Sequence, residues 1–366
     1  MKIAYIYPEI LPSSLARSIS VVNTAHALSY IFSCCLFVDA KSKDNILNHY
    51  DIKNSKLEIK NIKKSFLGLK SNKFFNQNLL KELKNKKFDF IYVRHLKVAK
   101  FLIEKKFKVI FECHEIFYKS NIKTKSIEEF VYNNVKGLVF INDTLKKEFN
   151  KHFKIKNIPQ ETIHNGCGFK VDFIKKDFST LNDIYYIGNF YPWKGIDFLI
   201  KAISNTNLKL KIIGNGDRKE ELENYIKEHN ISNIEFLGYK SQENIKTILS
   251  TAKLTVIPNI PSNFSNFSSP IKLYEYLMTS NIVLSSNMPT IQEIIEHKKN
   301  GFLFESGDEV SFQKSINQIL SLKNYELQNI AKNAYETSKE FTWEKRAKNI
   351  FNFIKELSVN ENNNHS

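Results

Sequence analysis

Short apolar runs alternate along this chain with longer stretches in which apolar residues recur every three or four positions. KIAYIYP, SCCLFVDA, FDFIYVR, FKVIFECH and GLVFIN are runs of the first kind, and SLARSISVVNTAHALSY between the first two has helical spacing. Runs that stay apolar throughout, separated by amphipathic helices, predict a parallel sheet covered on both faces. The pattern then stops. IHNGCGFKVDFIKKDFSTLND has no clean period and reads as a linker. A second series follows with IYYIG, LKLKIIG, IEFLGY, LTVIPN, NIVLSS and GFLFE, again spaced by helices. FTWEKRAKNIFNFIKEL closes the chain as one amphipathic helix, and the polar SVNENNNHS after it is expected to be disordered. The two series are alike in plan and not in sequence. The expected fold class is α/β: two Rossmann-like domains at 1–168 and 169–341, a last helix at 342–358 that returns to the first domain, and a tail at 359–366. The C-terminal edges of two such sheets are expected to face a common cleft, where a ligand of two parts is gripped.

Composition changes this picture in two places. The formal net charge is +16, which by itself points to nucleic acid or an anionic membrane. Of the 54 basic residues, however, only Arg17, Arg94, Arg218 and Arg346 are arginine. Base edges and bidentate phosphate recognition favour Arg, so no specific nucleic-acid partner is expected. Lysine suffices for weak attraction to anionic lipid. The four cysteines have neither CxxC nor metal spacing and read as buried thiols in a reducing compartment. MKIAYIYPEILPSS is too short in its apolar run for a signal peptide, and no stretch reaches the roughly 18 apolar residues of a membrane span. The expectation is a cytoplasmic protein, free or peripheral on the inner face of the membrane.

Three stretches of the second series carry candidate chemistry. In YIGNFYPWKGIDFLI a strand ends at Gly188 and a helix starts near Gly195, with Lys194 between them. Free N–H groups and a lysine there make an anion site, although GK[ST] is absent and this is no Walker A loop. In LKLKIIGNGDRKEE, Gly214 and Gly216 form either a tight strand-to-helix turn or a ligand-facing loop. In SSPIKLYEYLMTSNIV, Pro270 suits the first turn of a helix. The N–H groups of Ile271, Lys272 and Leu273 would then be free for a phosphate. Glu275 lies one turn further in, among Tyr274, Tyr276 and Leu277, where an unpaired carboxylate is costly. Two vicinal ribose hydroxyls would satisfy it; pairing with Lys272 at i, i+3 is the bland alternative.

SPIKLYEYLMTSNIVLSSNMPTIQEIIEHKKNGFLF resembles the nucleotide-sugar segment of the family-four, or group 1, retaining glycosyltransferases. GNFYPWKGIDFLI is similar to their K-G strand-to-helix turn, TIHNGCG to the turn that closes their N-terminal domain, and FTWEKRAKNI to their last crossover helix. The resemblance implies the GT-B architecture. It implies that Glu275 holds the donor ribose and that Lys194 and the helix start around Ile271 hold the diphosphate, with Lys272 assisting. Lys194, Glu275 and His114, which ends FECHE, become the candidate catalytic residues. Gly188, Asn189, Gly214, Gly216, Pro270, Ile271, Lys272, Leu273 and Arg17 complete the donor set, and Arg94 and His95 at the end of FDFIYVR are candidates for the acceptor. Two positions depart from the family: Phe267 stands where a first Glu is common, and Asn189 where Arg is common.

The implied reaction moves a sugar from a nucleoside-diphosphate donor, UDP favoured over GDP, to a hydroxyl of a glycan or lipid-linked acceptor with retention. Cell-surface polysaccharide synthesis is the expected setting for a bacterial member. No D-x-D occurs in the chain, and no metal or cofactor is expected. Two other classes stay open: a nucleotide-sugar epimerase of GT-B-like fold, and a non-catalytic protein that binds polyanions or a membrane surface. A polyanion-binding surface has no use for a carboxylate beside its phosphate site.

Overall fold

The computed structural model describes residues 1–66, 69–262 and 265–363. They form two compact units, one from residues 1–166 with 343–363 and one from 167–342.

Unit 1 is built on the strands Lys2–Leu11 (β1), Ser33–Ala40 (β2), Glu58–Asn61 (β3), Phe90–Val93 (β6), Val109–Cys113 (β7), Gly137–Phe140 (β8) and Gln160–Thr162 (β9). The small antiparallel ribbon Ser65–Phe66 (β4) and Leu69–Lys70 (β5) stands apart from the sheet. The seven main strands are parallel in the order β3-β2-β1-β6-β7-β8-β9. Unit 2 uses Asp183–Ile187 (β10), Lys209–Ile213 (β11), Ile234–Gly238 (β12), Leu254–Ile257 (β13), Ile282–Ser286 (β14) and Phe302–Phe304 (β15). These too are parallel, in the order β12-β11-β10-β13-β14-β15. Each sheet therefore starts in the middle, grows one way and then reverses. The reversal lies between β1 and β6 in unit 1 and between β10 and β13 in unit 2, and ligands of such sheets bind beyond the strand ends at that point.

Why the strands read as unbroken apolar runs is visible in unit 2. Ile184, Tyr186, Leu210, Ile212, Leu254 and Val256 face one buried cluster. Their neighbours Ile187, Ile213, Ile257 and Val283 face a second cluster on the other side of the sheet. Successive side chains alternate in direction, so a sheet buried on both faces needs apolar residues at every position. All four cysteines are buried and free. No helix among the described residues is long and apolar enough to cross a membrane.

The last helix, Trp343–Asn363, returns to unit 1 and packs on the helix Ala16–Leu28. It runs past residue 358, where the polarity of the following residues suggested an end. Once a helix is nucleated, each added residue gains a backbone hydrogen bond, so a polar sequence does not by itself end it. The remaining tail residues, 364–366, lie outside the described residues. Its anchor is Arg346, which is 2% exposed. The guanidinium donates to Thr24 Oγ1 at 3.0 Å, to the carbonyls of Ile163 at 2.6 Å and His164 at 2.9 Å, and to Glu112 at 2.5 Å. Glu112 is fully buried at the centre of the sheet and also accepts from Tyr92 and His114.

Arg346→Met leaves that carboxylate buried with its main counter-charge gone. The expected loss in unfolding free energy is about 3–5 kcal/mol by chemical denaturation, and Arg346→Met combined with Glu112→Gln should recover much of it. A single variant as stable as the parent would show that the pair does not hold the last helix.

Candidate active site

In unit 2 the candidate residues gather at the reversal point. The loop after β10 runs from Gly188 to Gly195, and the loop after β13 leads into the helix Ile271–Met278. Gly195, at φ 68°, lies against the Pro258 carbonyl, where a side chain would overlap the backbone of the neighbouring loop. The N–H of Ile260 donates to the Trp193 carbonyl at 2.9 Å and ties the same two loops together. Gly214, after β11, abuts the Gly188 carbonyl, and Gly216 abuts the backbone of Phe190. These strand ends meet with no room for Cβ atoms between them.

Lys272 occupies the space so formed. Its Nζ lies 4.7 Å from the centre of the Tyr186 ring, in the room that a Cβ at Gly188 would need. Tyr186 is itself fixed, donating its hydroxyl to the Asn189 carbonyl at 3.0 Å. The Lys272 Nζ is buried and has no hydrogen-bond partner. Burial pushes it down from 10.5 to about 7, opposed in part by Glu275. Lys176 in the same unit makes the contrast. It is also buried and also lowered to about 7, yet its ammonium donates to the carbonyls of Leu249 at 2.9 Å and Ala252 at 2.5 Å and to Asn281 Oδ1 at 3.0 Å. One ammonium ties down the end of a helix; the other has no hydrogen-bond acceptor.

Lys194 ends the short 3-10 turn Pro192–Lys194, with Gly195 as the cap before the helix Ile196–Ser204. It is 9% exposed, and its Nζ sits 3.9 Å from the centre of the Trp193 ring. Burial, and after it the charge of Lys272, hold it well below the ordinary lysine range. Two lysines thus share one dry corner. Glu275, one turn into the helix Ile271–Met278, is 7% exposed. Burial raises its carboxyl to about 7, and Lys272 counters only part of that rise. The i, i+3 ion pair with Lys272 is not formed, since Lys272 Nζ has no partner.

Some details differ from the sequence expectation. Pro270 is the cap of the helix and stands just ahead of its first turn, with φ −74° and ψ 116°. The N–H of Leu273 is not free; it donates to the Pro270 carbonyl at 3.0 Å, because the first turn closes tightly at i, i+3. Asn189 is half-buried and contributes its carbonyl to Tyr186, and Phe267 is half-buried just ahead of the helix. Tyr186 and Trp193 were not singled out from sequence. Their signals were present: Tyr186 precedes Gly188 by two, so it faces the same way, and Trp193 adjoins Lys194.

Unit 1 carries the other candidates at the ends of its central strands. Arg94 follows β6, and its Nη1 is buried without a partner. His114 follows β7 and is pushed down to about 4 by burial and then by Arg94, so it is neutral at pH 7. Glu112 stays ionised, held low by Arg346 and His114 against its burial, so the His114 Nε2–H is the donor between them. Glu115 is raised by burial, with Arg94 and Arg17 opposing. Arg17 is exposed in the first turn of the helix Ala16–Leu28. His95 caps the helix Leu96–Glu104, its Nδ1 accepting the Val98 N–H at 3.4 Å.

Residues 170–337 match the family described as glycosyl transferases group 1. The chain is 26% identical over 244 residues to an uncharacterized glycosyltransferase of Methanocaldococcus jannaschii, across 66% of each chain. It is 31% identical over 99 residues to the amylovoran biosynthesis glycosyltransferase AmsK of Erwinia amylovora, 26% of this chain and 24% of that one. The matches thus span less than two thirds of the length of these relatives. Among solved structures, HepE of Anabaena in complex with UDP-glucose superposes at a TM-score of 0.76 and 16% identity, covering 97% of this chain and all of that one. Sucrose-phosphate synthase of Thermosynechococcus elongatus gives 0.78 and 15% over 98% and 99%. The architecture is that of the GT-B glycosyltransferases.

Lys272→Met removes an unpartnered buried ammonium and keeps its length. The ligand-free variant should be more stable by about 1–3 kcal/mol, read as a rise in melting temperature. With the folded value near 7 and the unfolded value at 10.5, the folded chain binds fewer protons between those limits, so Lys272 makes stability rise with pH there. The variant should lose that share of the rise. A lower melting temperature with an unchanged pH dependence would show that Lys272 has a partner in solution.

Proposed function

We propose that this chain, whose residues 170–337 belong to the group 1 glycosyl transferases, transfers a sugar from a nucleoside-diphosphate sugar to an acceptor hydroxyl with retention of configuration. The observation that carries the reading is the buried, unpartnered ammonium of Lys272, next to Lys194 and one turn from an unpaired Glu275. Two lysines kept dry at a strand-end crevice, each discouraged by burial from carrying its charge, suit an anion that restores both charges, and a diphosphate supplies it. The carboxylate beside them asks for donors, and the two hydroxyls of a ribose supply those. A UDP-sugar is favoured over a GDP-sugar, in keeping with the UDP-glucose bound in the HepE structure.

In the reaction the bond from the anomeric carbon to the diphosphate breaks, and negative charge grows on the leaving phosphate. Lys194, Lys272 and the free N–H groups of Ile271 and Lys272 at the helix start would stabilise that charge without reorganising, which is where most catalysis of this kind arises. The leaving phosphate takes the proton of the acceptor hydroxyl on the same face, so no protein nucleophile is required. Of the residues in unit 1, Arg17 and His114 are assigned to the donor and Arg94 and His95 to the acceptor. The acceptor is a glycan or a lipid-linked precursor, and the setting is cell-surface polysaccharide synthesis by a protein peripheral to an anionic membrane. AmsK, named for the biosynthesis of such a polymer, supports that setting.

Lys194→Ala should lower kcat by on the order of 10²–10³, as loss of an oxyanion donor does. Glu275→Gln should weaken donor binding by roughly 1.5–3 kcal/mol, chiefly as a raised donor KM, because the ribose contact is alike in ground and transition states. A Glu275→Gln protein that binds donor normally would remove the ribose assignment. Turnover should survive EDTA; complete loss, restored by Mg²⁺ or Mn²⁺, would count against a site that relies on lysines. Turnover of donor without any acceptor to a different sugar nucleotide would favour the epimerase.

A further inference from the structure

Beyond β7 the chain makes two short 3-10 turns, Phe117–Lys119 and Ile122–Thr124, before the helix Lys125–Asn134. Ile122 is 69% exposed, more than any other Ile, Leu, Phe or Met among the described residues. It does not sit on a loose loop. The Asn121 N–H donates to the Phe117 carbonyl at 2.9 Å, and the Thr124 N–H to the Asn121 carbonyl at 2.9 Å. Asn121 Oδ1 accepts the Lys123 N–H at 3.1 Å. Beneath, the buried Glu128 carboxylate accepts the N–H groups of Phe117 at 2.9 Å and Tyr118 at 2.7 Å. The fold fixes an aliphatic side chain in water.

Lysines crowd the segment itself. Residues 116–127 contain Lys119, Lys123 and Lys125 and no acid, with Glu115, Glu128 and Glu129 at the borders; residues 149–160 contain Lys151, Lys154 and Lys156 and no acid, between Glu148 and Glu161. The two stretches meet at Tyr118, whose hydroxyl is 2.6 Å from His152 Nδ1 and whose ring packs edge-on against Phe153. Glu148 engages Lys119 and Lys151, the latter at 3.0 Å. The other four lysines have no acidic partner among the described residues.

We propose that the segment Tyr118–Lys125 docks unit 1 on an anionic bilayer, with Ile122 entering the acyl boundary and the lysines at the level of the headgroups. The proposal rests on the reading of the acceptor as lipid-linked and names the surface that serves it. Lysines are point charges on long apolar stems, which suit a diffuse anionic surface better than the bidentate recognition of a nucleic acid or a single phosphate. A single exposed aliphatic side chain among lysines suits acyl chains below charged headgroups, whereas a protein partner would need a packed apolar patch. The segment also leaves the sheet at the edge where His114 and Arg94 stand, so the membrane would meet unit 1 on the side of Arg94, a candidate for the acceptor.

The test is co-sedimentation with vesicles of phosphatidylcholine alone and of phosphatidylcholine with phosphatidylglycerol, at rising salt. The parent protein should bind only the anionic vesicles and leave them as salt rises. Ile122→Glu and the pair Lys123→Glu with Lys125→Glu should each weaken that binding by roughly tenfold or more. The charge-matched control, Lys227→Glu with Lys314→Glu on unit 2, should bind nearly as the parent does. All these positions are exposed, and unchanged melting curves will show that the variants are folded. If the unit 1 variants bind as the parent and the control does not, the docking surface lies elsewhere and the proposal is overturned, while membrane attachment stands. If the parent fails to bind anionic vesicles, the proposal and the peripheral setting fall together. Donor hydrolysis without vesicles then shows whether the transferase reading survives on its own.

Discussion

The proposed donor site depends on how closely backbones approach one another where the sheet of unit 2 reverses. Gly195 lies against the Pro258 carbonyl, and Gly214 against that of Gly188. Only because these contacts lack Cβ atoms can the loops after β10, β11 and β13 close on one another. The room left at Gly188 is what Lys272 fills. A methyl group at Gly188 would have to displace the ammonium from the Tyr186 ring. Close packing here therefore sets where the charge is, and the charge sets what the crevice can bind.

Buried charge is handled in two opposite ways in this molecule. Around Glu112 every element of a structural network is present: Arg346, Tyr92 and His114 surround the carboxylate, and the Thr24 hydroxyl and two backbone carbonyls also accept from the guanidinium. That arrangement joins a central strand to the last helix and leaves His114 neutral with its Nε2 occupied. Lys176 follows the same rule in unit 2. Lys272 and Glu275 break it: the Lys272 Nζ is buried with no hydrogen-bond partner, and the buried Glu275 carboxyl is raised by its burial, which Lys272 only partly offsets. Burial of unpaired charge is unfavourable, and natural folds keep it where a ligand completes the pairing. That difference, more than burial itself, separates the candidate site from the other ionised groups in the core.

Much of the fold was legible in the chain. Strands buried on both faces must be apolar at successive positions, so GLVFIN, NIVLSS and their like mark a parallel sheet without any knowledge of partners. The linker after Thr162 has no period because it belongs to neither sheet. Breaker and helix signals around Pro270 located the start of a helix to within a residue. Lys272 and Glu275 could be singled out because a charge in an otherwise apolar strip has to be explained, and Lys194 because it stands beside a glycine where a helix follows a strand.

What the sequence by itself determined is the plan: two parallel sheets, their order of elements along the chain, and a short set of charged residues at strand ends in unit 2. Only the tertiary structure decided which of those charges are satisfied. Arg346 meets Glu112 across 234 residues, and no local pattern announces such a pair. His95 turned out to cap a helix, and the Leu273 N–H closes a tight turn, both through geometry that residue types leave open. Lys272 has the same neighbours along the chain whether or not it pairs with Glu275; its distance from every acceptor follows from the packing of three loops. Periodicity is a property of neighbours along the chain and survives in the sequence, whereas the pairing of buried charges is set by contacts in space and appears only when the chain has folded.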